Sequence, residues 1–101
     1  MNMEMNREVG GRQLRLRYTF NSICAMEERA GMPLEQLMTR MYCSVRLLFW
    51  GALIELQSEI TLSEAGDIIG AHIKAGGSID DVALLCSQAL EMAGFTAQEE
   101  N

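Results

Sequence analysis

The sequence predicts a mainly α domain: a short N-terminal β ribbon followed by a bundle of four or five helices. Three observations carry this expectation. Apolar and polar residues alternate strictly from Gln13 to Phe20, apolar residues recur at helical spacing afterwards, and capping residues and glycines divide the helical part. The expected ribbon spans about residues 3–20, the helices about 21–94, and residues 1–95 form one domain with a flexible acidic tail at 96–101.

Leu14, Leu16, Tyr18 and Phe20 alternate with Gln13, Arg15, Arg17 and Thr19. A period of two places the apolar set on one face and both arginines on the other. Gly10-Gly11 supplies the positive φ angles of a tight turn, with Met3 to Val9 as the preceding strand. A two-stranded ribbon is marginal alone, so its apolar face must pack on the helices.

Asn21 or Ser22 caps a first helix that runs to about Ala30, and Gly31 offers the left-handed stop. Pro33 suits the first turn of a second helix, to about Met41. A third, from about Ser44 to Ser58, is apolar almost all round, interrupted only by Arg46, Glu55 and Gln57, as in a central helix. Trp50 belongs to its core, and Gly51 permits close helix approach. Thr61-Leu-Ser-Glu64 is a capping box that opens a fourth helix ending at Gly76-Gly77. Ser78-Ile-Asp-Asp81 opens a fifth, with acids where the helix dipole favours them and Gly94 as its stop.

Composition excludes several classes of function. The longest uncharged apolar run, Leu47 to Ile54, is eight residues, against the roughly 20 of a membrane-spanning helix. With no signal-peptide pattern at the start, the chain is expected in the cytoplasm, away from membranes. A net charge of −6 suits phosphate backbones poorly. It is also split: residues 1–46 carry seven Arg against five Glu, whereas residues 47–101 carry Lys74 alone against nine acids. Such a split suits two faces with different partners, or head-to-tail self-association into a homo-oligomer; solvated helix faces that merely differ would read the same.

Chemistry-bearing constellations are absent from the sequence. Cys24, Cys43 and Cys86 form no metal-ligand or disulfide spacing and read as small core residues. His72 stands alone among isoleucines and reads as a packed or interface histidine. Glu27-Glu28 and Asp80-Asp81 are adjacent, so each pair diverges by about 100° on a helix and shares no site. Neither a phosphate-cradling glycine pattern nor a nucleophile elbow occurs. The expectation is a protein that is not an enzyme and holds no cofactor or metal. Gln13, Arg15 and Arg17 on one strand face, followed by helices, also fit a ribbon-helix-helix DNA-binding regulator. Met26, Met32, Met38 and Met41 cluster around the first two helices, where flexible thioethers fill an irregular core or meet partners.

Several blocks together resemble a known family. They are Leu14-Arg-Leu-Arg-Tyr-Thr-Phe-Asn21, Ile23-Cys-Ala-Met-Glu27, Gly31-Met-Pro-Leu34, Val45-Arg-Leu-Leu-Phe-Trp-Gly-Ala-Leu53 and Leu62-Ser-Glu-Ala-Gly-Asp-Ile-Ile69. Their order, over about residues 9 to 92, is similar to that of the tail-assembly chaperones of long-tailed phages and gene transfer agents, sometimes labelled tail tube protein. Leu62-Ser63 departs from the Leu-Thr commoner in that family. The resemblance implies a protein of the bacterial host cytoplasm that holds the tape-measure protein and recruits tail-tube subunits. It also implies the short form of a product often extended by ribosomal frameshifting. A structural tail component is the alternative within the same setting. Holding a helical tape measure calls for a groove that accepts amphipathic helices. The residues expected to line it are Met26, Met38, Met41 and Phe49, with Arg15 and Arg17 as the other candidate partner contacts.

Overall fold

A computed structural model of the chain describes residues 4–39 and 41–96. The molecule is mainly helical, a two-stranded antiparallel hairpin followed by five helices. Strand β1 (Met5–Val9) pairs with β2 (Arg12–Leu16), with Met5 opposite Leu16 and Val9 opposite Arg12. Gly10 and Gly11 have φ of 59° and 82°, both in the left-handed region that the tight turn requires. Gly10 is needed for a second reason. A Cβ there would sit 2.5 Å from the Ile68 carbonyl oxygen, so the turn lies directly against the fourth helix. Met3 and residues 97–101, which include most of the expected tail, fall outside the described residues.

The strand alternation ends sooner than its pattern suggests. Leu14, Leu16 and Tyr18 are buried, but Phe20 is 73% exposed and begins helix α1 (Phe20–Ala30). Thr19, not Asn21 or Ser22, is the cap. Its hydroxyl accepts from the Ser22 amide at 3.1 Å, and the Ser22 hydroxyl accepts from the Thr19 amide at 2.8 Å. That reciprocal pair fixes the turn out of the strand and rotates Phe20 into solvent. Gly31 closes α1 with φ 71°, as its position predicts.

Helix α2 is one turn, Leu34–Leu37, shorter than the expected stretch to Met41. Only Leu37 on it is buried, so nothing in the core holds a longer helix. The Glu27 carboxylate accepts from the Leu34 amide at 2.7 Å, giving α2 a cap from the preceding helix. Helix α3 (Tyr42–Leu53) begins two residues before the expected Ser44 and stops five before Ser58. The early stop has a long-range cause. Gln57 donates to the Leu53 and Arg15 carbonyls at 2.7 and 2.9 Å and accepts from the Arg15 amide at 2.8 Å. It thereby ends α3 and satisfies the outer edge of β2.

Helix α4 (Leu62–Lys74) starts at the predicted capping box of Thr61 with Glu64, and α5 (Ile79–Ala93) starts at the expected Ser78, where Asp81 forms a second capping box beyond the dipole role the sequence suggests. Gly94, φ 87°, ends α5. Central α3 packs on α1, α4, α5 and β2. Its Val45, Leu48, Phe49, Ala52 and Leu53 are at most 3% exposed. Each large side chain buried this way contributes about 1.5–3 kcal/mol relative to exposure. Gly51 brings α1 close, because a Cβ there would run into the side chain of Met26. Tyr18 donates its hydroxyl to the Leu48 carbonyl and lies beside Cys86. Burial holds the tyrosine well above the usual phenol range and pushes the Cys86 thiol up to about 12. Among the described residues, no helix is long and apolar enough to cross a membrane.

Candidate docking surface

The surface of interest is built where α3 begins. The link from α2 leaves Met38 and Met41 exposed, and Tyr42 opens α3 at 68% exposure. Two cavities of about 400 and 390 Å³ flank this end of the helix. One lies between α3 and α4, walled by Tyr42, Ile69, Ile73 and Ile79. The other lies between α3 and the α1–α2 corner, walled by Met32, Leu37, Met41 and Leu47. Cys43 and Arg46 line both, so the two meet in one trough across the start of α3. Met32, Met41, Tyr42 and Ile73 are four of the eight large apolar side chains that stand exposed among the described residues. Apolar exposure gathered in one place marks a contact surface more often than apolar residues scattered singly.

Among the described residues, Arg46 is the one polar anomaly. Its Nε is buried and has no hydrogen-bond partner among the described residues. An orphaned buried donor costs about 1–3 kcal/mol, so a side chain that keeps one asks for a reason. Its stem is seated in a slot made by Gly66, where a Cβ would come within 3.1 Å of Arg46 Cδ. The other arginine at the trough, Arg29, is engaged: its guanidinium stands 5.1 Å from the centre of the Trp50 ring, a contact worth about 0.5–1 kcal/mol at an exposed site. Trp50 is therefore half-buried under Arg29 rather than wholly in the core.

The structure separates the residues that the sequence groups together. Met26 and Phe49 are fully buried, so neither reaches the surface as expected of a partner contact. Spacing alone does not distinguish Met26, which faces Gly51, from Met41, which faces solvent. Met38 and Met41 are exposed, at 37% and 68%. Met41 rims the trough, and Met38 borders a small cleft beside Leu48, Ala83 and Ser87. Arg15 and Arg17 are exposed on the hairpin, remote in sequence from the trough. Arg15 is paired with Glu4 at 2.9 Å, which holds the Glu4 carboxyl below its usual range. The Arg17 amide donates to the Ala52 carbonyl at 2.8 Å. Strand β2 is thus paired with β1 on one edge and bonded by Gln57 on the other, and Ala52 holds the residue that follows it.

Tyr42, Arg46 and Ile73 are trough residues that the sequence reading passed over. The available signal was Arg46, a charge placed inside the most apolar helix. Cys43, expected in the core, is exposed in the trough because α3 starts early enough to put it in the first turn. His72 is partly buried, with its side chain 26% exposed. A side chain at Gly77 would run into its ring, and its Nε2 lies 2.9 Å from Asp81 Oδ2. Compared with family models, with curated proteins and with solved structures, the chain matches none.

Proposed function

We propose that this chain is a non-enzymatic tail-assembly chaperone of a long-tailed phage or gene transfer agent. It holds the tape-measure protein in the trough at the start of α3 and recruits tail-tube subunits. The family resemblance of the sequence blocks suggests the partner, and one structural observation supports the mode of binding. Met32, Met41, Tyr42 and Ile73 stand exposed around a trough of adjoining apolar cavities. An amphipathic helix laid there buries those side chains together with its own apolar stripe. Methionines on the rim can re-pack against successive, non-identical segments of a long helical partner.

The test is co-expression with tape-measure fragments from the same genetic element, followed by capture on the tagged chain. Duplex DNA at low salt serves as the control. Retention of a fragment, lost in a Met38→Asp, Met41→Asp double variant, is the expected result. Salt-sensitive DNA retention without any fragment overturns the reading in favour of the arginine-bearing hairpin. Recovery of the chain from purified virions in stoichiometric amount overturns it in favour of a structural tail component.

A further inference from the structure

We propose that residues 32–37 form a hinged lid on the cavity between α3 and the α1–α2 corner. Leu37 is its latch, and the lid lifts while the rest of the fold stays closed. It is a property of the free chain and needs no particular partner, so it stands apart from the reading of the trough as a docking site.

The segment is held thinly. From residue 31 to 39 only Leu37 is buried, at 2% exposure, and only Leu34 is half-buried; the rest are exposed. By contrast α1, α3, α4 and α5 each bury three residues or more. Its polar attachment to α1 is the bond from the Leu34 amide to the Glu27 carboxylate at 2.7 Å, and the Gln36 amide donates within the segment, to the Pro33 carbonyl at 3.0 Å. Both ends can turn. Gly31 has φ 71° with open space where a Cβ would stand, and Met38, at φ −81° and ψ 66°, has left helical geometry. The segment also rests on a cavity rather than on the close packing of a protein interior. Its Met32, Gln36 and Leu37 line that space of about 390 Å³ together with Ser44 and Leu47 of α3 and Leu62 of α4. A segment with few buried apolar contacts opens for a fraction of the global unfolding free energy. Here the opening withdraws Leu37, removes one wall of the cavity and bares Leu47 and Leu62. Helix α3 keeps its packing on α1, α4, α5 and β2 throughout. The enclosed space thus becomes an open groove.

Native-state hydrogen exchange of the full chain, followed by NMR across a urea series, tests the lid. The Leu34 and Gln36 amides are expected to exchange at least about a hundredfold faster than the slowest amides of α3, α4 and α5, because they need only the local opening. Their exchange should change little with urea, since lifting the lid exposes far less surface than unfolding does. A Leu37→Asp variant holds the lid off, because closing it would bury an unpaired charge. That variant is expected to keep a cooperative thermal melt and the protection of α4 and α5, while Leu34 and Gln36 lose theirs. Exchange of Leu34 and Gln36 at the rate and urea slope of the α3 amides overturns the proposal, since the segment then opens only with the whole fold. Exchange of both at the unprotected rate in the wild type also overturns it, since no closed state then exists. Unfolding of Leu37→Asp, or continued protection of Leu34 and Gln36 in that variant, does the same.

Discussion

At the scale of residues, several side chains carry two duties at once. Asp81 completes the capping box of α5 by accepting from the Ser78 amide at 3.0 Å, and the same oxygen meets His72 on α4. Its carboxyl is held below the usual carboxylate range, first by the Ser78 amide and then by His72. A folded value below the unfolded one means that Asp81 adds stability above the ordinary aspartate range, near pH 4. That contribution is lost as pH falls through the lower folded value. Urea midpoints of the wild type and Asp81→Asn should therefore differ at pH 7 and converge as pH falls below about 4. A gap that stays constant down to pH 3 contradicts this coupling. The sequence made the place of Asp81 in the first turn of α5 legible, because a helix start is a local pattern of a few residues. The partnership with His72 was not, since it depends on how the Gly76-Gly77 turn folds α5 back onto α4.

At the scale of elements, the hairpin turn shows how a local requirement and a tertiary one fall on neighbouring residues. Gly10 and Gly11 both need positive φ, which costs an L-residue about 1–2 kcal/mol. Around Gly11 there is open space, whereas a Cβ on Gly10 meets the Ile68 carbonyl. Gly11→Ala should lose only the backbone term. Gly10→Ala should lose about 2 kcal/mol or more, because the turn must also lift from α4. Equal losses in chemical denaturation contradict the contact. The same division explains which boundaries could be read in advance. The ends set by Thr61, Ser78, Gly31 and Gly94 follow from neighbours in sequence. The end of α3 follows from Gln57 bonding to Arg15, 42 residues away. The start of α1 was half legible: Thr19 and Ser22 have the chemistry of a capping box, but the alternation through Phe20 masks it.

For the whole molecule, the layout of β ribbon and helices was readable because hydrophobic periodicity reports which faces meet the core. The candidate docking surface was readable only in part. Four methionines of one chemical type lie within 16 residues, Met26 to Met41, yet Met26 is buried beneath Gly51 and Met41 rims the trough. Sequence spacing cannot separate them when α2 ends after one turn and the link to α3 turns outward. Arg46 carried the better signal, since a charge within an apolar helix must either face water or await a partner. In the fold it reaches the junction of two cavities with its Nε buried and unpaired.

Cys43 lies at that same junction and is exposed, while Cys24 is half-buried on α1 and Cys86 is buried with its thiol pushed up to about 12. The three thiols thus provide a probe inside the trough, one outside it and one in the core. The most direct measurement is the rate of thiol labelling at each cysteine, read by mass spectrometry, with and without a bound tape-measure fragment. Occupancy of the trough predicts that the fragment slows labelling of Cys43 at least about tenfold and leaves Cys24 unchanged, because reaction requires access to the sulfur. A bound fragment that leaves Cys43 labelling at its free rate contradicts the account.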